Sequence, residues 1–304
     1  MSENLQPISV GDFFSPQLRS PAKQQSCELK RFTHAHFVEV IPFERRACSI
    51  RTSNYHQGPS IISLTKDQLE RYRHQLSMPG MTKEKQERLI SSSCLLVAGD
   101  APLETTIKHL IAAGVGKIIV IGEAFSLSAM SAIASHAGNL DVTVEFHQLP
   151  ASGVTSGDDH QVSESIIENV DLVVEASLDW QFKLRLCDFC MRLGVPMIHS
   201  GSSGLRFQIF TMVPGKSACL RCALPRAGID DFPITPVERS TFAPIATCAG
   251  ALMASESIKL LANLGASQGN ELWKVDGLSG EIEIIRGLDP RQDCPDCGRA
   301  SRPR

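Results

Sequence analysis

Short apolar runs alternate with helical stretches through the middle of the chain. Each run holds branched or other apolar side chains between polar or glycine positions, as buried strands do. The predicted strands cover residues 94–98, 117–121, 142–149, 171–175 and 195–199. The predicted helices between them cover residues 103–113, 162–170 and 180–192. Strands that alternate with helices favour a parallel sheet with helices on both faces.

The pattern changes on either side of this region. Upstream, Thr65 with Gln68 three residues later forms a capping box at the start of a helix, and a second helix is predicted over 83–90. Downstream, the predictions are a strand over 206–212, a long loop over 214–241, a helix over 246–264 and a hairpin of strands 271–276 and 281–286. The fold class is therefore a Rossmann-like, doubly wound, mostly parallel α/β sheet that continues into an antiparallel part.

The first residues differ from the rest in composition. Residues 1–30 are polar and rich in Pro, Ser and Gln, which is typical of a mobile arm. Segments 36–41 and 47–52 carry branched residues that could pair as a hairpin. We expect residues 1–64 to form a partly disordered extension and residues 65–304 to form the main domain.

Charge and composition narrow the classes of partner and compartment. The chain has 304 residues and a formal net charge of −3, which gives no general reason to expect nucleic acid or an acidic membrane as a partner. Apolar runs such as 95–98 and 118–121 are far shorter than the ~20 residues of a membrane helix. The first 25 residues lack a basic start followed by an apolar core, so we expect a cytoplasmic protein.

Ten cysteines are the most informative count. Six of them form three C-x-x-C pairs, which begin at Cys187, Cys219 and Cys294. The pair Cys294 and Cys297 is followed by Gly298, as in a zinc knuckle. The spacing predicts that it shares one metal with Cys219 and Cys222, although free surface thiols are the alternative. Cys187 and Cys190 stand i, i+3 on a predicted helix, which favours packing in the core.

The turn after the first strand has the place of a nucleotide-binding loop but lacks its residues. Such a loop uses three glycines so that backbone amides meet phosphate at a helix N-terminus. Only Gly99 is present; Ala101 and Glu104 occupy the other glycine positions, and Pro102 removes an amide donor. Asp100 adds a second negative charge beside Glu104. The loop is therefore a poor phosphate cradle.

Other groups that adenylyl chemistry needs are also missing. Residues 118–182 contain neither Lys nor Arg, although developing phosphate charge requires cations or metal. The second strand ends without the acid that would hold a ribose, and Glu123 stands one residue beyond it. Asp179 could hold Mg²⁺ or could cap the helix that begins at Trp180.

Several motifs together resemble the ThiF/MoeB/HesA family, the bacterial relatives of ubiquitin-activating enzymes. The similar segments stand in family order over roughly residues 68–298. They are RYRHQ at 71–75, AAGVGKIIVI at 112–121, the stretch 200–225 that ends in the first cysteine pair, FAPIATCAGALMASESIKLL at 242–261, and CPDCG at 294–298.

The resemblance implies specific chemistry and partners. Members bind Mg-ATP and adenylate the C-terminal carboxylate of a ubiquitin-like or sulfur-carrier protein. They are usually dimers with zinc on two C-x-x-C pairs. This carry-over assigns structural zinc to Cys219, Cys222, Cys294 and Cys297.

The ATP site of the family carries over poorly, which makes ATP and Mg²⁺ doubtful cofactors. The arginine that one subunit usually lends to its partner is His74 here, with Arg73 beside it. The crossover-loop cysteine that many relatives use is absent near Pro236, and Cys248 in the next helix is expected to be buried. Gly99, Glu123, Asp179 and Arg73 are the remnant nucleotide-binding candidates.

Three hypotheses follow for the function. The first is a non-adenylating member that binds a peptide or small carrier protein and presents it to a partner enzyme. The second is a silent subunit paired with an intact paralogue. The third is an active adenylyltransferase with a remodelled site. A redox or metal-handling role for the cysteines is a further alternative.

Overall fold

The computed structural model describes residues 63–97, 102–122, 124–148, 162, 164–177, 180–226, 241–265 and 269–298. The chain divides into two units, Met1–Pro42 and Phe43–Arg304, and all described residues belong to the second. The predicted hairpin of 36–41 and 47–52 lies outside the described residues, so the role of residues 1–64 stays a prediction.

One mixed sheet forms the centre of the described chain, with spatial order β3-β2-β1-β4-β5-β6-β7-β8. Its strands are β1 Ser93–Val97, β2 Lys117–Gly122, β3 Thr143–Gln148, β4 Leu172–Glu175, β5 Met197–Ser203, β6 Arg206–Met212, β7 Leu272–Asp276 and β8 Glu281–Ile285. Strands β1 to β5 pair in parallel, and β5 to β8 pair antiparallel. The predicted fold class, a parallel sheet that continues into an antiparallel part, is confirmed.

Helices cover both faces of this sheet. They are α1 Lys66–Arg71, α2 Arg73–Leu76, α3 Lys83–Ser91, α4 Pro102–Ala113, α5 Ala124–Ala137, α6 Glu164–Ile167, α7 Trp180–Leu193, α8 Leu220–Arg226 and α9 Ala243–Ala262. One face packs α7 and α8 against alternate strand positions such as Val97 and Val173. The other face packs α4 and α9 against the intervening positions such as Leu96 and Val174. Strands buried on both faces explain why they are apolar runs without alternation.

The RYRHQ segment anchors the first helices to the amino edge of the parallel strands. Tyr72 is buried, and its hydroxyl donates to Asp141 Oδ2 at 2.9 Å. Burial, helped by the Asp141 charge, raises the pKa of Tyr72 to about 12. Gly114 has φ +83°, and a Cβ there would lie 2.4 Å from the Tyr72 hydroxyl. A Cβ on Gly116 would lie 1.7 Å from the Ile90 carbonyl oxygen. Close packing therefore requires both glycines of the A-G-V-G segment.

The structure corrects several predicted elements. Helix α8 lies inside the predicted loop 214–241, where Pro225 obscures the helical pattern. Helix α5 was not predicted, because its run of Ala and Ser lacks a clear apolar periodicity. The predicted helix over 162–170 shortens to α6.

Helix α9 bears on two further expectations and corrects one of them. It is long and apolar enough to cross a membrane by length and composition, which the short apolar runs had not suggested. Just over half of its most apolar window is buried, and it packs on α4 and the sheet, as the core helix of a globular domain does. Cys248, which was expected to be buried in this helix, is exposed.

Candidate functional site

Four cysteines lie together on the face of the sheet that α7 and α8 cover. Cys219, Cys222, Cys294 and Cys297 are all buried, and their sulfur atoms all lie within 4.8 Å of one another. The Cys219 and Cys294 sulfurs are 3.7 Å apart, and those of Cys222 and Cys297 are 3.6 Å apart. A tetrahedron with metal–sulfur bonds of 2.3 Å has edges of about 3.8 Å. The spacing therefore matches a closed four-thiolate metal site.

Local structure holds each cysteine pair in place. The first pair lies at the start of α8, which Arg221 ties to α7 through two hydrogen bonds to Asp188, at 3.0 and 2.7 Å. The second pair lies in a tight turn in which the Gly298 N–H donates to the Cys294 carbonyl at 2.9 Å. A Cβ on Gly298 would lie 2.4 Å from that carbonyl oxygen. The turn that presents the second pair therefore requires the glycine of CPDCG.

The thiols of the cluster differ in how readily they ionise. Burial opposes ionisation of Cys294, but backbone N–H groups of Cys297 and Asp296 hold the pKa of its thiol at about 7. The hydrogen bond with Cys187, together with burial, raises the pKa of Cys219. A coordinated metal ion deprotonates such thiols and compensates their mutual repulsion. The cluster can hold a metal, and four protein ligands would leave no open position for catalysis.

The third cysteine pair borders this cluster without completing a site of its own. Cys187 and Cys190 are fully buried in the core, as the helical spacing predicted. The Leu220 N–H donates to Cys187 Sγ at 3.4 Å, and Cys187 also contacts Met212 Sδ at 3.4 Å. Cys187 therefore supports the start of α8, next to Cys219.

A second polar cluster lies on the same face, where β4 ends at Glu175 beside His199, the third residue of β5. It consists of Glu175, Lys183 and His199, which are all buried. Glu175 Oε2 lies 2.9 Å from His199 Nδ1, and Glu175 Oε1 lies 3.3 Å from Lys183 Nζ. The Ser177 N–H donates to Glu175 Oε1 at 2.5 Å, and Lys183 Nζ donates to the Ser200 carbonyl at 2.7 Å. We call these three residues the Glu–Lys–His cluster.

The charge states in the Glu–Lys–His cluster follow from these contacts. Burial raises the pKa of Glu175, but the Lys183 charge and the hydrogen bonds from His199 and Ser177 outweigh it and lower the pKa below its usual value. Burial and then Lys183 lower the pKa of His199, against the opposing effect of Glu175. The cluster thus holds a carboxylate, an ammonium and a neutral imidazole at neutral pH. Trp180 stacks on His199 with ring centroids 5.9 Å apart.

The lowered pKa of His199 predicts that stability falls in mild acid. The unfolded chain binds the extra proton from about pH 6.5 downward, whereas the folded chain resists it. The contribution of His199 to the free energy of unfolding is fully present above about pH 6.5. It decreases as the pH falls below that value, by at most about 1.4 kcal/mol per pH unit. Urea unfolding at pH 7.5, 6.5 and 5.5 measures the slope of the unfolding free energy against pH.

Two histidine variants make that measurement specific. His199→Gln should flatten the slope between pH 6.5 and 5.5, while His109→Gln, at an exposed position of α4, should leave it unchanged. Equal unfolding free energies of the wild-type chain at pH 7.5 and 5.5 would contradict the assignment of a neutral buried imidazole.

The described residues include one of the four nucleotide-binding candidates, so their grouping stays a prediction. Gly99, Glu123 and Asp179 lie outside the described residues. Arg73 lies in α2, and its guanidinium pairs with Glu70 at 2.7 Å on the surface. Its neighbour Gln75 donates to the Ala113 carbonyl, just before β2 begins, so α2 sits at the amino edge of the strands. Arg73 therefore lies at the opposite edge of its own sheet from the Glu–Lys–His cluster.

The Glu–Lys–His cluster was not identified from the sequence, although a signal is visible. Glu175 and His199 each end a run of apolar residues, at the carboxyl edge where open α/β sheets bind ligands. Lys183 stands on the apolar side of α7 next to Phe182 and Leu186. Charged residues at buried positions of predicted elements are the pattern that would have indicated the cluster.

Known proteins with similar sequences and a solved structure with a similar fold identify the family of this chain. The SAMP-activating enzyme E1 of Haloferax volcanii is 27% identical over 256 residues, covering 78% of this chain and 92% of the relative. The sulfur carrier protein adenylyltransferase of Thermus thermophilus is 26% identical, covering 77% of this chain and 92% of the relative. The crystal structure of E. coli MccB with MccA-N7isoASN superimposes with a TM-score of 0.59 at 18% identity, over 76% of this chain and 75% of that one, which shows a shared fold.

The family model places the chain directly. The ThiF family model matches residues 121–296, which include β4, β5, α9 and three of the four clustered cysteines, and the match ends one residue before Cys297. The chain is thus related to E1-like adenylyltransferases that activate ubiquitin-like or sulfur-carrier proteins. The matched region is more than half of the sequence, and the chain belongs to the ThiF family.

Proposed function

We propose that this chain is a non-adenylating ThiF-family protein that binds a peptide or small carrier protein and presents it to a partner enzyme. The observation that carries the proposal is the start of α4, the helix that follows β1. Pro102 is its first residue and Glu104 lies in its first turn. A helix N-terminus binds phosphate through free amides and a positive dipole, and these residues remove an amide and add a negative charge.

The surroundings of this helix support the same conclusion. No Lys or Arg occurs in residues 118–182, which run from β2 to α7. Lys183, the first cation after that gap, is held on Glu175 and the Ser200 carbonyl. Loss of one cation could be compensated elsewhere, but an arginine on transition-state charge can be worth several powers of ten in rate. Loss of several together removes the basis for adenylyl transfer.

Binding of a peptide or carrier would remain open to such a protein. Open α/β sheets bind ligands beyond the carboxyl ends of their strands, and β4 and β5 pair in parallel up to Glu175 and His199 at this edge. One relative is a sulfur carrier protein adenylyltransferase, and the similar enzyme MccB has been solved in complex with N-formylated MccA. By this analogy the ligand is a peptide or a small ubiquitin-like or sulfur-carrier protein, and the working form is a dimer.

The metal in the cysteine cluster is proposed to be zinc. Four thiolates in a tetrahedral arrangement suit Zn²⁺, which has no redox chemistry and forms closed structural sites. When bound, it would cross-link α8 to the turn at residues 294–298. It would supply stability and would take no part in catalysis.

Exchange of pyrophosphate into ATP tests the proposed function. The purified chain, with and without candidate carrier proteins, is expected to show only background exchange. The Thermus thermophilus sulfur carrier protein adenylyltransferase serves as the active control. Robust exchange by the isolated chain would overturn the proposal and favour an active adenylyltransferase with a remodelled site. Exchange or ATP binding that needs an added paralogue would favour a silent subunit of a heterodimer.

A further inference from the structure

The Glu–Lys–His cluster leaves one strong hydrogen-bonding atom without a partner. A carboxylate only accepts hydrogen bonds, so His199 Nδ1 must donate to Glu175 Oε2. In the neutral ring, Nε2 then carries a lone pair and accepts. His199 Nε2 is buried and has no hydrogen-bond partner in the described chain. An unpaired buried acceptor costs about 1–3 kcal/mol, so a ligand group that donates a hydrogen bond to His199 Nε2 would gain from that interaction.

The space beside this atom is left open by a glycine. Gly201 follows on the same face of β5, and a Cβ placed on it would lie 3.7 Å from His199 Nε2. The same Cβ would lie 3.4 Å from Nε2 of Gln208, the residue paired with Gly201 on β6. Gly201 and Gln208 are both partly exposed, whereas His199 is buried. The space beside Gly201 therefore lies between the His199 acceptor and the Gln208 donor, at two partly exposed positions of neighbouring strands.

We propose that Gly201, His199 and Gln208 form a binding position for an uncharged group that both donates and accepts hydrogen bonds, an amide or a hydroxyl. The ligand N–H or O–H donates to His199 Nε2, and the ligand oxygen accepts from the Gln208 amide. This goes beyond the proposed function, because it holds whether or not the chain adenylates a carboxylate.

The surrounding charges explain why the group is uncharged. Glu175 and Lys183 lie 3.3 Å apart and compensate each other beside the ring. Among the described residues no group of three metal-ligating side chains includes His199, and the Lys183 charge, which lowers the pKa of this ring, would also oppose a metal ion. A carboxylate would present acceptors only, and the His199 lone pair would repel it. An amide or hydroxyl matches both the acceptor and the donor without adding charge to a buried site.

Nuclear magnetic resonance of the full chain tests this position with two matched pairs of probes. The chain carries ¹⁵N-histidine, and the His199 signal is assigned by its loss in His199→Gln. N-methylacetamide is compared with N,N-dimethylacetamide, and ethylene glycol with 1,2-dimethoxyethane. Each second compound lacks the donor hydrogen of the first. At least one donor probe should shift the His199 Nε2 resonance saturably and bind about tenfold more tightly than its methylated partner.

The pair that responds distinguishes an amide ligand from a hydroxyl ligand, and either response supports the proposal. Gly201→Ala should abolish the preference, because its methyl group fills the space at ordinary contact distances that leave the fold intact. Ile282→Ala, on the exposed face of β8, should retain it. Equal shifts with donor and methylated probes, no shift with any probe, or an unchanged preference in folded Gly201→Ala would overturn the proposal.

Discussion

The Cys294→Ser chain is expected to lose its metal and to unfold roughly 10 °C below the wild-type chain. Loss of a structural metal is among the few single changes that cost about 4 kcal/mol or more. In a domain of this size each kcal/mol lowers Tm by roughly 2–4 °C. Cys294 closes the cluster with its sulfur 3.7 Å from that of Cys219, and a serine hydroxyl is a poor replacement for a thiolate. Elemental analysis and thermal unfolding measure the two effects.

The physical reason is that the metal would join segments far apart in the sequence. The two cysteine pairs stand in α8 and in the turn at residues 294–298, and without a cation their buried thiols would repel one another on ionisation. Wild-type protein is expected to carry about one zinc per chain. Cys248→Ser, at an exposed thiol of α9, should change neither zinc content nor Tm. Loss of zinc from Cys294→Ser without a fall in Tm would contradict a structural role.

Lys183→Met is expected to destabilise the chain by about 3–5 kcal/mol, the usual cost of removing one partner from a buried ion pair. The change would leave the Glu175 carboxylate buried with only its hydrogen bonds from Ser177 and His199. It would also remove the donor to the Ser200 carbonyl. Urea unfolding at pH 7.5 measures the loss, because Glu175 is ionised there.

Two further variants separate charge from packing at Lys183. Lys183→Met combined with Glu175→Gln should recover part of the lost stability, because the uncompensated charge is removed while an amide still accepts hydrogen bonds. Arg206→Met breaks an exposed ion pair with Asp276 and should change stability little. A Lys183→Met chain as stable as the wild type would show that the buried pair is not formed.

Much of the fold could be predicted because its signals are local. Strand β6 was predicted with its observed bounds, and the capping box of Thr65 and Gln68 was predicted with both of its hydrogen bonds. Buried parallel strands are short apolar runs by necessity, and helix starts depend on neighbouring residues. Helices α5 and α8 were missed because tertiary packing stabilises them while their own patterns are weak.

The chemistry-bearing residues divide in the same way. The C-x-x-C spacing identified both cysteine pairs, because two thiols at this spacing in one turn can reach the same metal, and the glycine after the second pair added to the signal. The weakness of the phosphate loop at Pro102 and Glu104 was also visible, because that loop is one continuous segment. The Glu–Lys–His cluster was not identified, because β4, α7 and β5 each contribute one member, and the charge at each position does not show that the three side chains meet.

By itself, the sequence determined the sheet, most of its helices, the membership of the ThiF family and the four cysteines that can hold a metal. Only the tertiary structure decided that Glu175, Lys183 and His199 meet, that Cys248 is exposed, and that Arg73 lies at the far edge of its own sheet from Glu175. The spacing of residues within one segment determines its local structure and which of its side chains can share a ligand. Contacts between separate strands and helices depend on register and packing, which no single segment encodes.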